Sequence, residues 1–331
     1  MVVKRAPSDK DARRQLAECE KIVRRIEFEK AIEFEDADNS VADSINLDDI
    51  VVEDSYDGPR IKPEGIDSEF VDGMIARFRE EKKIHKKYAY QIVLAVRQYF
   101  LEQPSLVDVD IPANHTLTIC GDVHGQFYDL LNIFELAGKP SATHHFLFNG
   151  DFVDRGSFSI EVILLLFAYK WLYPNGFFLT RGNHETKDMN RMYGFEGETK
   201  SKFSEMMYKL FCKTFDTLPL AHVVQKKLFV VHGGLFSRDD PGRSPSKRGV
   251  GLQFGPDVTE KFLKHNNLDM VIRSHEVKDN GYVIEHDGKC VTVFSAPNYC
   301  DQMGNKGAYI NVTDAGEVSY HVFEAVPQSA L

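Results

Sequence analysis

The sequence predicts an α/β fold: a two-layered β core with helices on its outer faces. Three observations carry that expectation. From Thr116, short apolar runs that suit buried strands alternate with helical patterns, giving an early βαβαβ order. From Leu228 the chain reads mainly as strands, and five polar, glycine-containing segments each follow, or close, an apolar run.

Taken in order, residues 9–34 carry apolar positions at helical spacing (Leu16, Cys19, Ile22, Val23, Ile26) with charges opposite, as an amphipathic helix does. From Glu33 to Asp57 there are ten acidic residues and no Lys or Arg, which predicts a solvated linker kept extended by its own repulsion. An acidic strip that imitates a phosphorylated substrate is the weaker alternative. Residues 67–79 (Phe70, Val71, Met74, Ile75, Phe78) and 86–102 (Tyr88, Ile92, Val93, Val96, Phe100) have helical periodicity, and Pro104 stops the second. Strands are then expected at Thr116–Cys120, Phe146–Phe148 and Phe177–Thr180, with helices at Gln126–Leu136 and Ser159–Leu172 between them. A mostly helical stretch to about Phe215 comes next. The remaining expected strands are Leu228–Val231, Met270–Ile272, Val291–Phe294, Ala308–Val312 and Val318–Phe323. The domains so delimited are a helix in 1–32, an acidic linker in 33–59, a large α/β domain in 60–325 and a tail in 326–331.

Composition removes several function classes. The longest uncharged apolar run, Val162 to Tyr169, is too short to span a bilayer. The charged start, Met1-Val-Val-Lys-Arg, has no apolar signal core, so secretion is not expected. Five cysteines (19, 120, 212, 290, 300) include no Cys-x-x-Cys pair, which points to reduced thiols and against a zinc-thiolate site. The expected address is therefore the cytoplasm, with the nucleus open as well. A net charge of -10 argues against nucleic-acid binding.

The five segments are Gly121-Asp-Val-His-Gly125, Gly150-Asp-Phe-Val-Asp-Arg-Gly156, Arg181-Gly-Asn-His-Glu185, His232-Gly-Gly234 and Arg273-Ser-His275. In open α/β sheets, ligands bind beyond the carboxyl ends of strands, which is where these polar groups fall. Asp122 and His124 alternate on a tight loop and can face one metal ion. Asn183, His232 and His275 suit a second, with Asp151 held between as a bridge. Two ions about 3.5–4 Å apart activate a water and clamp both oxygens of an in-line displacement. Oxygen and imidazole donors suit manganese, iron or zinc. His184 is placed to donate a proton to a poor alkoxide leaving group, with Asp154 orienting its ring. Arg155 presents a planar fork to phosphate oxygens. Each residue alone has an ordinary structural explanation, and eight of the twelve histidines (85, 115, 144, 145, 222, 265, 286, 321) have no comparable context. No Gly-x-Ser-x-Gly or P-loop pattern offers a competing chemistry.

These motifs resemble the phosphoprotein phosphatases that act on phosphoserine and phosphothreonine. The stretches from Gln126, from Ser246-Lys-Arg-Gly-Val250 and from Phe294-Ser-Ala-Pro-Asn-Tyr-Cys300 are similar to the type 5 branch, over roughly residues 9–325. The resemblance implies a calcineurin-like metallophosphoesterase fold and phosphoprotein substrates. It implies that Asp122, His124 and Asp151 hold one metal, and Asp151, Asn183, His232 and His275 the other. It assigns Arg155 and Arg248 to the phosphate with help from Asn183 and Tyr299, and His184 with Asp154 to acid catalysis. Cys300 would lie on the loop beside the site.

Two departures accompany it. The family has several dozen residues between His-Gly-Gly and Arg-Gly-Val, where this chain keeps only Arg238 to Lys247. Type 5 members also carry an N-terminal tetratricopeptide domain, of which a stretch like the last helix is present, and this argues against chaperone binding. Because the shortened segment adjoins Arg248, a catalytically impaired chain that binds phosphoproteins or partners is the alternative to an active phosphatase.

Overall fold

The computed structural model describes residues 41–235, 243–245 and 252–327. The helix expected within 9–34 lies outside them. Met1–Asn46 and Leu47–Leu331 form separate units, and the second holds the α/β domain.

Two helices open this unit, α1 (Ser68–Arg79) and α2 (Lys86–Leu101). The Asp67 side chain caps α1 by accepting the Phe70 N–H at 2.8 Å, satisfying a donor that the first turn leaves unpaired. The residues that recur at helical spacing form the buried faces of both helices. The chain then runs through β1 (Leu106–Val109), β2 (Thr116–Cys120), α3 (Phe127–Ala137), β3 (His144–Phe148), α4 (Ser159–Leu172) and β4 (Phe177–Leu179). Three helices come after them, α5 (Lys187–Tyr193), α6 (Phe195–Lys202) and α7 (Glu205–Phe215). Next come β5 (Ala221–Val224), β6 (Leu228–Val231), the short pair β7 (Arg243–Pro245) and β8 (Leu252–Phe254), and α8 (Pro256–Asn266). The last strands are β9 (Met270–Arg273), β10 (Tyr282–Glu285), β11 (Cys290–Val293), β12 (Gly307–Thr313) and β13 (Val318–Phe323).

The strands form two mixed sheets, one in the order β13-β12-β2-β3-β4 and the other β1-β5-β6-β9-β11-β10. Alternate residues face the space between them. Leu117, Ile119, Leu147 and Ile310 from the first sheet meet Val224, Val230, Ile272, Val291 and Val293 from the second in one buried cluster. On the first sheet's outer face, Phe146, Phe148 and Phe177 stack on one another and receive Phe134 of α3 and Tyr169 of α4. Helix α4 is buried nearly all round because it is central, with α1, α2, α3 and α6 packed about it. On the second sheet's outer face, Val258 and Leu263 of α8 cover Val271 and Cys290.

Strands β2, β3 and β4 are mutually parallel, and so are β6 and β9, so within each sheet their carboxyl ends share an edge. Asn149, just past β3, ties the two edges together. Its amide donates to Val231 O (3.1 Å) and to Ser274 Oγ (3.0 Å), which terminate β6 and β9.

The described end of the acidic stretch is exposed yet tethered by ion pairs. Asp57 pairs with Arg77 at 2.7 Å and Glu53 with His85 at 3.2 Å. The Tyr56 ring lies beside the guanidinium groups of Arg60 and Arg77. Arg77 of α1 thus offsets one of the charges that repel one another along the sequence.

Candidate active site

All five polar segments lie at the carboxyl ends of β2, β3, β4, β6 and β9. Their turns are sharp enough to force several side-chain-bearing residues into the left-handed region. His124 (φ +43), Asp151 (+53), Asp154 (+71), Arg155 (+75) and His275 (+75) all have positive φ. Such conformations cost free energy and persist where the surroundings over-determine them, typically at functional sites. Gly150 (φ +86) combines a positive φ with a close approach, for a Cβ there would lie 2.6 Å from Gly182 Cα and 2.7 Å from His232 Nδ1.

The loops bring Asp122, His124, Asp151, Asn183, His232 and His275 to one centre. His232 Nε2 is 3.2 Å from Asp151 Oδ2, 3.0 Å from Asn183 Oδ1 and 3.2 Å from His275 Nδ1. His124 Nε2 is 3.6 Å from Asp122 Oδ2 and 3.7 Å from Asp151 Oδ2. The backbone N–H of His275 donates to Asp122 Oδ1 at 3.0 Å, so Asp122 also fastens the loop after β9. Among the described residues, two groups offer ligand atoms within 4.8 Å of one another, His124–Asp151–His184 and Asp151–His232–His275, and Asp151 belongs to both.

These residues fit a pair of cations. His124 Nδ1 faces Val153 O at 3.0 Å and His232 Nδ1 faces Asn149 O at 2.7 Å. Only an N–H is favourable against a carbonyl, so in both rings Nε2 is the nitrogen turned toward the carboxylates. Burial alone disfavours imidazolium, yet the Asp151 carboxylate, helped by Asp122, pushes His232 up to about 10. Burial would likewise raise Asp151, but the His232 and His124 imidazoles hold it far below the usual carboxylate range. The field at the centre therefore favours positive charge, which a metal ion supplies while leaving the rings neutral.

The remaining expected residues border the same centre, apart from Arg248, which lies outside the described residues. His184 Nδ1 is 2.8 Å from Asp154 Oδ2, which leaves Nε2 available to the cleft. Asp154 is fully buried. The exposed Arg155 lies over the Tyr193 ring at 3.7 Å and donates its backbone N–H to Tyr193 O at 3.2 Å. Tyr299 packs on His124, ring to ring at 5.0 Å, and Cys300 beside it is exposed. Together Asp151, Arg155, Asn183, His184, His275 and Tyr299 line a cleft of about 320 Å³. Of the eight histidines without a motif context, His85 caps α2 and His222 is buried against Thr180, away from this cleft.

Glu185 closes the third polar segment with no role that its sequence neighbours disclose, and the structure supplies one. Its buried carboxylate accepts the N–H groups of Asp151 (2.8 Å), Phe152 (2.9 Å) and Gly182 (2.9 Å), holding the loops after β3 and β4 together. Burial and the Asp151 charge push it up to about 7. Asn149 also escapes a reading of the sequence. A single polar residue between an apolar strand and Gly-Asp is its only signal there.

Comparison with known proteins identifies the fold and the family. A family model for calcineurin-like phosphoesterases matches residues 115–279, and one for the PPP5 TPR repeat region matches residues 16–108. Serine/threonine-protein phosphatase T of Aspergillus oryzae is 53% identical across 99% of this chain and 75% of its own length. Serine/threonine-protein phosphatase 5 of Homo sapiens is 48% identical across 98% of this chain and 72% of its own. The Aspergillus alignment runs over 361 positions, more than the 331 residues here, so the relative holds residues within the aligned span that this chain lacks. A solved Saccharomyces cerevisiae protein serine/threonine phosphatase, described as similar to human phosphatase PP5, superposes with a TM-score of 0.75 at 40% identity, covering 79% of this chain and 97% of that one. With its two-sheet metallophosphoesterase fold and its converged carboxylate and imidazole donors, this chain belongs to the serine/threonine-protein phosphatase 5/T family and is a protein serine/threonine phosphatase.

Proposed function

We propose that this chain removes phosphate from phosphoserine and phosphothreonine by the division of labour its site residues suggest. Asp122, His124 and Asp151 would hold one metal ion, and Asp151, Asn183, His232 and His275 the other. When bound, the two ions would supply an activated water and neutralise charge on the phosphoryl group. Manganese, iron and zinc all accept this donor set. Arg155, stacked on Tyr193 and free of carboxylates among the described residues, would bind phosphate oxygens, with Asn183, Tyr299 and Arg248 assisting. His184 would give its Nε2 proton to the seryl or threonyl oxygen as the ester bond breaks. Asp154, bonded to Nδ1, stabilises the cation before transfer and fixes the ring's direction.

The observation that carries this reading is the convergence on His232 Nε2 of three donors from three different loops at 3.0–3.2 Å. The match to a tetratricopeptide region over residues 16–108 supports a protein partner besides the substrate. A cytoplasmic or nuclear address is proposed with it, since the four cysteines among the described residues are free. The test is metal analysis of the purified chain beside phosphate release from a phosphoserine peptide. Two ions per chain, activity abolished by chelation and restored by manganese, and loss of at least one ion in His232→Ala are expected. Undiminished hydrolysis after complete metal removal would refute the proposal.

A further inference from the structure

We infer that Asn190 is a positioning residue of this phosphatase, setting the Asp154–His184 pair through a two-point clamp. The inference rests on the reading of His184 as the proton donor. Asn190 lies on α5 and is fully buried. Its side-chain amide donates to Asp154 Oδ2 at 3.1 Å, the same oxygen that faces His184 Nδ1. It also donates to the main-chain oxygen of His184 at 2.6 Å. One NH₂ group therefore spans the carboxylate and the backbone of the imidazole it orients. Both partners are acceptors, so the amide's orientation is dictated by chemistry.

Two further observations point the same way. The Oδ1 atom of Asn190 is buried with no hydrogen-bond partner among the described residues. An apolar side chain of similar size would avoid that penalty, so the residue serves through its two donors. The adjoining chain also grips the same machinery: the Phe195 N–H donates to Asp154 Oδ1 at 2.9 Å, and Tyr193 O accepts the Arg155 N–H. Asp154 itself is held at φ +71, a conformation its surroundings must maintain. With Asn190 in place, both oxygens of Asp154 are tethered, and the carboxylate can turn only by breaking bonds to α5 and α6. Without it, Oδ2 retains His184 alone and the imidazole gains freedom to swing its Nε2 off the leaving oxygen.

A tilt of that kind matters in proportion to how much the leaving group needs a proton. The seryl oxygen is a poor leaving group and needs the proton to depart as the alcohol; the phenolate of an aryl phosphate with an acidic phenol does not. The experiment compares Asn190→Leu, of similar volume but without donors, with the parent chain, both loaded with manganese. We expect kcat on a phosphoserine peptide to fall on the order of 10-fold, against less than about 3-fold on the aryl phosphate, with KM and metal content unchanged. Asn190→Ser, which keeps one donor, should lie between the two and serves if the leucine variant does not fold. In a His184→Ala background, Asn190→Leu should add almost nothing, because a positioning residue has no effect once its target is gone. Equal losses on both substrates, a change in bound metal, or full additivity with His184→Ala would overturn the inference. If His184→Ala discriminates between substrates while Asn190→Leu does not, the clamp fails and the acid stands. If His184→Ala affects both equally, the acid fails and takes the clamp with it.

Discussion

Gly150→Ala should damage this enzyme far out of proportion to the single methyl group it adds. At φ +86 an L-residue is strained by about 1 kcal/mol before any contact is considered. The added Cβ would lie 2.6 Å from Gly182 Cα and 2.7 Å from His232 Nδ1, where ordinary contact begins near 3.4 Å. Both neighbours must therefore retreat by about 0.7–0.8 Å. Neither can retreat alone. Gly182 leads directly into Asn183 and His184, and its N–H is tied to Glu185 at 2.9 Å. His232 is held at 2.7 Å by the carbonyl of Asn149, the residue adjoining the mutation. The displacement thus passes into three proposed site residues, and misplacement of about 1 Å costs on the order of 10²-fold in rate. Overpacking adds about 1–3 kcal/mol of destabilisation to the backbone strain. Thermal denaturation should accordingly show a Tm lowered by several degrees. The assay is kcat/KM on an aryl phosphate at saturating manganese, with bound metal measured on the same sample. Gly197→Ala is the control. Gly197 sits in α6 with no atom near its missing Cβ, so alanine there should leave the rate unchanged and stabilise by about 0.5–1 kcal/mol. If Gly150→Ala keeps more than a third of the activity, or the two variants behave alike, the close-approach argument is wrong.

Because Asp151 belongs to both groups of ligand atoms, Asp151→Asn should reduce bound metal and kcat more than Asp122→Asn; equal effects in metal titration and turnover would count against a bridging role. Lys170, buried in α4, donates to Pro174 O at 2.6 Å, and burial pushes it down to about 7. Its folded value lies below the unfolded one, so the unfolded chain binds the extra proton and stability rises between about pH 7 and pH 10, by up to about 1.4 kcal/mol per unit. Lys170→Met should abolish that slope in denaturation measured against pH, and an unchanged slope would assign it to another group. By its resemblance to the family, this chain lacks several dozen residues before Arg248, a stretch that would help to hold that side chain at the phosphate. Restoring a family-length segment should therefore raise kcat/KM on a phosphopeptide without changing metal content, and equal efficiency in the two forms would dismiss the idea.

The sequence by itself determined the strand-loop-helix order from Thr116 to Leu179 and the residues that meet at the centre, for a local reason. Short apolar runs leading into glycine and a metal-type donor encode a buried strand and its exit loop within about ten residues. The same local logic could not find β1, β5 or β10. Leu106–Val109 is a mostly exposed edge strand interrupted by Asp108, Ala221–Val224 is interrupted by His222, and Tyr282–Glu285 is a partly exposed edge that pairs with β11 on one side only. Such segments become strands through their neighbours. Helix α8, with Pro256 at its first turn, carried a legible start signal that the strand-dominated reading of that region passed over. Only the tertiary structure decided how the five segments face one another. That depends on two sheets stacking through apolar residues contributed by strands far apart in sequence, and on Asn149 bonding across their edges. It also decided which polar residues serve the site without being ligands. Glu185 bonds backbone N–H groups, and Asn190 bonds a backbone carbonyl beside the Asp154 carboxylate; backbone groups are common to nearly every residue, so sequence neighbours could not disclose which would be held.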